Sequence, residues 1–251
     1  MRDVRLFLHQ LRGEQLLFWR TREAAIFTFV FPIVLFLLLA AVYTGTINGD
    51  PAGRYLLSGL LAYGAGTTAF AGLAITLVVR RENGVLKRVR ATPLPPVIYI
   101  AAVLVSTLIV FALEAVVMIA LARAAFNVGV PDALGSLVLE VLLGVVCFAA
   151  LGAGITGAIR SSEGSSGILN IILLPMAFLS GSFGPTRSYP YFLQVIADVL
   201  PLTYFLRLVK ATVVHGDAIW AHPGAVGVVA AWGAIGAVAA LRWFRWEPRS
   251  T

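Results

Sequence analysis

The chain has 251 residues, 59% hydrophobic and 12% charged, with 19 basic and 12 acidic residues and a mean hydropathy of +0.91. Soluble domains carry about 25% charged residues, and a globule of this size cannot hide so much apolar surface from water. The composition excludes a soluble enzyme, a disordered chain and a water-filled outer-membrane barrel. The single cysteine, Cys147, excludes an intrachain disulfide and a cysteine metal cluster, and reads as core packing.

Charge-free stretches run over 24–49, 55–79, 91–113, 141–159, 164–186 and 218–241. A helix needs about 20 apolar residues to cross the hydrocarbon core, whereas barrel strands alternate over about ten. The pattern predicts an all-α polytopic membrane protein, a single transmembrane domain over 1–251. Six transmembrane helices are expected near 24–43, 56–79, 97–121, 134–159, 166–182 and 223–242. With the N-terminus inside, 14 of the 19 basic residues fall on inner segments, among them Arg245 and Arg249, and five on outer ones. The positive-inside rule then places both termini in the cytoplasm. The basic excess reads as orientation and attraction to lipid headgroups, not as nucleic-acid binding.

Residues 4–20 predict an amphipathic helix in the inner interface. Val4, Phe7, Leu8, Leu11, Phe18 and Trp19 share one face, and Arg5, His9, Arg12 and Arg20 the other. The first span carries Pro32, a potential kink. The second is rich in small residues, from Ser58 and Gly59 to Ala71 and Gly72, and the fourth has Gly152, Gly154 and Gly157. Such residues suit close helix packing or room for a ligand.

The connection over 80–95 is the most informative. Val85, Leu86 and Val89 predict the apolar face of a short helix ringed by Lys87, Arg88 and Arg90. Gly84 breaks the chain ahead of it and Pro93 stops it. Glu114 and Glu140 lie inside spans three and four at similar depth. Intramembrane acids are functional by default, and partners open to these two are Arg123, Arg207, each other through a proton, or a cationic substrate. The segment 183–222 is too apolar for an aqueous loop, yet Pro185, Pro190 and Pro201 break it. It predicts re-entrant or short helices on the outer side, buried in protein or lining a cavity. His9, His215 and His222 lack ligand spacing, so no metal site and no catalytic residue is expected.

The run Arg81-Glu82-x-Gly84-x-Leu86-x-Arg88-x-x-x-Thr92-Pro93 resembles the cytoplasmic motif of type-2 ABC exporter permeases. Leu179-Ser180-Gly181-x-x-x-Pro185 is similar to that family's motif at the outer end of the fifth span. Leu200-Pro201-Leu202-Thr203 matches a third, before the last span. Val85, Lys87 and Gly184 depart from the family's usual residues. The nearest likeness is to short bacterial permeases of the daunorubicin-exporter kind, and it covers essentially the whole chain. It implies that 81–92 is a coupling helix, with Arg81, Glu82, Gly84, Leu86, Arg88, Val89 and Arg90 at or near a groove of a separate ATPase. Glu82 and Arg88 would make charged contacts there, Leu86 and Val89 apolar ones. It also implies a pathway along spans two and five, with Thr67, Phe70, Asn170, Met176 and Phe178 as candidates.

The resemblance implies two copies of the ATPase, a second permease chain (identical or related), and a bacterial-type cytoplasmic membrane. ATP and Mg would sit on the ATPase, since this chain shows no P-loop: its lysines, Lys87 and Lys210, follow Leu86 and Val209. The expected function is export of an amphipathic drug, antibiotic or lipid-like compound. Two rivals stand beside it: a proton-coupled transporter using Glu114 and Glu140, and a non-transporting docking module.

Overall fold

Every charge-free stretch contains a helix in the computed structural model, which describes residues 2–244 and 246–247. Arg245 and Arg249, counted among the inner charges, lie outside the described residues. Helix α1 is Arg2–Arg20, and Thr21 breaks it from α2, Arg22–Val42. A long second span follows as α3, Ala52–Ala65, a π-helical stretch Gly66–Gly72, and α4, Leu73–Glu82. Then come α5, Val85–Arg90, α6, Pro96–Phe126, α7, Leu134–Ile155, and α8, Ser165–Ser180. Helix α9 is Tyr191–Ala197, and α10, Pro201–Lys210, continues as a π-helical turn Ala211–His215. The last helix, α11, is Pro223–Trp243.

Among the described residues five helices are long and apolar enough to cross a bilayer: α2, the 52–82 helix, α6, α7 and α11. The span expected at 166–182 is α8, only 16 residues long. At 1.5 Å per residue it extends about 24 Å, short of a hydrocarbon core of about 30 Å. Its C-terminal end is cut by Gly181, whose φ of +89° no side-chain-bearing residue adopts easily. The turn is a Schellman cap. Gly181 N–H donates to the carbonyl of Phe178 and Ser182 N–H to that of Ala177, each at 3.1 Å.

Span two is the hub. Two thirds of its apolar window is buried (67%), against 11% for α2 and 17% for α11. Its small residues serve packing. A Cβ at Gly59 would overlap the Ser182 carbonyl, and one at Gly64 would lie 2.5 Å from the Glu114 carboxylate. Gly152 on α7 likewise faces the Phe70 carbonyl, 2.5 Å from where its Cβ would stand. In a membrane, where apolar side chains gain nothing by leaving lipid for protein, such backbone approaches hold helices together.

The 183–222 segment is helical but broken. Helices α9 and α10 meet at 81°, because Pro201 starts α10 and cannot continue the preceding helix. Helix α10 is buried, with Leu202, Phe205 and Leu208 fully covered, while Tyr191 and Phe192 of α9 are exposed. A hairpin that the sequence pattern did not announce pins α10 down. Asn48 and Gly49 both have positive φ and close a two-residue turn between Thr46–Ile47 and Asp50–Pro51, the backbone that an Asn-Gly pair favours. The hairpin aims Asp50 at Lys210, 2.6 Å away.

Helix α1 departs from its expected stripe. Phe7, Leu11 and Phe18 are half-buried, but Val4, Leu8 and Trp19 are exposed, and the buried residue is Glu14. The face turned to α6 is partly polar because it has to meet an arginine of span two.

Candidate functional site

The motif over 81–93 divides into two parts with opposite orientations. Arg81 and Glu82 belong to the last turn of α4 and face this chain's own helices. Arg81 is buried and donates to the carbonyls of Thr156 (2.8 Å) and Ile159 (2.6 Å). Those carbonyls lie at and just beyond the end of α7, where helix carbonyls lack intrahelical donors and carry partial negative charge. Glu82 accepts the backbone N–H of Ser162 at 2.6 Å. The pair therefore clamps the end of span two onto the turn between α7 and α8.

Gly84, at φ +67°, then reverses the chain into α5. Leu86 is fully buried in the core and Val89 half-buried against it. This corrects the expectation that Leu86 offers an apolar contact outward: it anchors α5 to its own chain. The expected 81–92 helix is six residues, 85–90. Its outward surface is Lys87, Arg88 and Arg90, all exposed. Among the described residues no carboxylate pairs with these three.

One residue before Arg81 lies a buried ion pair that the sequence pattern did not predict. Arg80 meets Glu14 of α1 through two hydrogen bonds, 2.6 and 2.9 Å, and donates to the Tyr99 hydroxyl at 2.9 Å. One residue on, Gln15 donates to Ser106 of α6 at 2.9 Å. The available signal was an acid in the middle of a mostly apolar and basic helix whose other acid, Asp3, stands in the first turn, one helical turn from Gln10, which also donates to Glu14 at 2.8 Å.

Replacing Arg81 with glutamine removes a charged donor from two carbonyls. Charge-assisted hydrogen bonds contribute about 1.5–3 kcal/mol, so Arg81→Gln is expected to lose about that much stability. Thermal unfolding in nanodiscs checks it; an unchanged Tm would mean that the clamp carries no load.

The two intramembrane acids do not hydrogen-bond each other or pair with Arg123 or Arg207; Arg207 pairs with Asp198 at 2.5 Å. Each takes a threonine instead. Thr68 donates to Glu114 at 2.9 Å and Thr212 to Glu140 at 2.6 Å. Both threonines stand in π-helical turns, 66–72 and 211–215. Such turns are rare and often mark functional positions. Glu140 Oε2 is buried without a hydrogen-bond partner among the described residues.

At the far end of α8, Ser180 and Ser182 share a 3.0 Å hydrogen bond, and the Tyr55 hydroxyl donates to the Gly184 carbonyl at 3.1 Å. The Leu179–Pro185 motif is thus the cap that seats α8 against span two. Of the pathway candidates, Phe70 and Met176 line one groove of about 710 Å³. Thr67 donates to the Gly64 carbonyl (3.0 Å), Asn170 is exposed, and Phe178 packs on Phe183 at 4.9 Å.

A helical, multi-pass bundle with a short basic helix clamped against it defines an all-α polytopic membrane protein. Comparison with known proteins gives the particular class. Residues 5–214 match the family model of the ABC-2 type transporter, and the chain belongs to that family. It is 28% identical to the inner membrane transport permease YhhJ of Escherichia coli over 172 residues, 66% of this chain and 45% of YhhJ. It is 24% identical to the putative transport permease YvfS of Bacillus subtilis over 204 residues, 80% of this chain and 82% of YvfS. The chain thus spans about half the length of YhhJ and most of YvfS. Membership of this family implies an ATPase partner in general.

Proposed function

We propose that the chain is the membrane subunit of an ATP-driven exporter, with both termini in the cytoplasm. It works with a second permease chain, identical or related, and two ATPase subunits that hold ATP and Mg. The observation that carries this reading is the exposed cationic face of α5, fastened to the bundle through Leu86 and, one turn upstream, through Arg81 and Glu82. A force on Lys87, Arg88 or Arg90 passes through the Gly84 turn into span two, and through Glu82 into the start of α8. Alternating access needs such a rigid link, because a flexible loop would absorb the motion. The docking surface on the ATPase is then acidic, since like charge across an interface repels.

A second chain is supported by α8. Asn170 is exposed on this helix beside Ile168, Ile171 and Ile172. A polar amide at membrane depth needs a partner from another helix or a cavity. The cargo we propose is amphipathic, a drug, an antibiotic or a lipid-like molecule, on the strength of the apolar lining around Phe70 and Met176.

The experiment is charge reversal of α5. Lys87→Glu, Arg88→Glu and Arg90→Glu together are expected to leave insertion and Tm near wild type, while ATPase co-purification falls at least tenfold and export stops. Leu86→Ala should instead lower Tm, because it empties a buried site. Wild-type export from the triple variant would end the coupling assignment.

A further inference from the structure

The groove beside Phe70 has features that coupling does not use. It runs along the bundle between α8 and α11, over a floor of α7 and span two. Its volume, about 710 Å³, is that of a small-ligand site rather than a packing void. Along the groove α7 and α11 pack backbone to backbone. A Cβ on Gly236 would stand 2.5 Å from the Leu151 nitrogen, and one on Gly154 would stand 2.9 Å from the Gly236 carbonyl.

The polarity of the groove is one-sided. At one end the Trp232 N–H is already spent on the Val199 carbonyl, at 3.0 Å. At the other end stand Arg242 and Trp243, both exposed. Among the described residues lining the groove Arg242 alone is charged, and no described carboxylate pairs with it. The Arg242 end is also the α5 end. A Cβ on Gly157 would lie 2.6 Å from the Trp243 carbonyl oxygen, two residues before the Ile159 carbonyl that Arg81 holds. The Trp246 ring lies 6.2 Å from that of Tyr99, whose hydroxyl meets Arg80.

From Trp232 to Arg242 is ten residues of α11, about 15 Å along the axis. That is half of a hydrocarbon core of about 30 Å, the depth of one leaflet. An apolar slot one leaflet deep, with a tryptophan and an unpaired guanidinium at its headgroup end, matches one class of molecule. We propose that this groove binds a single anionic phospholipid from the leaflet on the α5 side. One acyl chain lies between Met176 and Ile235, and the phosphate accepts from Arg242. Guanidinium–phosphate pairs are among the stronger charge-assisted hydrogen bonds, and tryptophan favours the headgroup level. An apolar helix from a second copy would cover the slot but would bring Arg242 no counter-ion, whereas a lipid phosphate does. The lining is the one from which an amphipathic cargo was proposed, and this inference deepens that reading, although the lipid site itself needs only a bilayer around the chain and no ATPase.

The test uses the full chain in nanodiscs of equal parts phosphatidylglycerol and phosphatidylcholine. Either lipid carries, in turn, a photoactivatable group at its acyl-chain end. Labelled phosphatidylglycerol is expected to mark peptides holding Met176 and Trp232 several-fold more than labelled phosphatidylcholine does. Arg242→Gln should reduce that preference to parity. Ile235→Trp fills the slot from a residue already half exposed, and should cut labelling by both lipids several-fold. Equal marking by the two lipids in the wild type would overturn the proposal, and needs no variant to fold. Unchanged preference in Arg242→Gln, or crosslinks from the groove to a second copy of the chain, would overturn it as well.

Discussion

Arg80→Leu is expected to destabilise the chain by about 3–5 kcal/mol, the cost of leaving one partner of a buried ion pair without its counter-charge. Glu14 and Arg80 are both well buried, with side chains 6% and 14% exposed, so solvent does not screen the loss. The effect should reach beyond the pair. Arg80 joins α1, span two and, through Tyr99, α6, so its removal loosens the N-terminal helix, which keeps its Gln15–Ser106 tie to α6. Proteolysis within 2–20 in nanodiscs should rise along with the fall in Tm. Glu14→Leu alone should cost a similar amount, because it strands the guanidinium. The double change Glu14→Leu with Arg80→Leu should recover most of the loss, since apolar residues of similar size replace buried ion pairs at little cost. A double variant as unstable as either single one would show that the pair acts through packing and not through charge.

The second large effect is expected at Gly59. A Cβ there would fall on the Ser182 carbonyl, a backbone atom within the cap that ends α8. A flexible side chain can swing away from a new methyl group, but a capped turn cannot. Gly59→Val is expected to cost about 3 kcal/mol or more, at the upper end of overpacking, and to separate α8 from span two. Gly13→Ala is the control: nothing lies within 4 Å of its Cβ position, and alanine favours a helix interior by up to about 1 kcal/mol over glycine. Unfolding midpoints of the two variants, measured in one lipid, should move in opposite directions. A neutral Gly59→Val would mean that the Leu179–Pro185 motif does not seat α8 against span two.

Both effects sit at positions whose sequence signal was incomplete. The Leu-Ser-Gly-x-x-x-Pro motif was visible, and Gly181 is where the helix ends. What the motif packs against was not visible, because Gly59 is one small residue among many in span two and only a three-dimensional approach singles it out. Arg80 counted as one more inner positive charge. Nothing in its neighbours announces that it turns inward to Glu14 while Lys87 and Arg88 turn outward. Leu86 shows the same limit. An apolar residue on a short basic helix is read equally well as a contact for a partner or as an anchor to its own core, and the structure makes it the anchor.

Length, hydropathy and charge spacing were enough to determine a helical membrane protein, its main apolar segments and the short basic helix after span two. These are one-dimensional properties: a bilayer of fixed thickness selects runs of fixed length, and prolines and glycines break helices wherever they stand. The tertiary structure alone decided that α8 is a short helix, that α9 and α10 bend at 81°, that Glu114 and Glu140 each take a threonine in a π-helical turn, and that Arg81 and Glu82 brace their own chain. Each of these depends on which residues distant in sequence come within about 3 Å, and hydrogen bonds and close packing act only over that range.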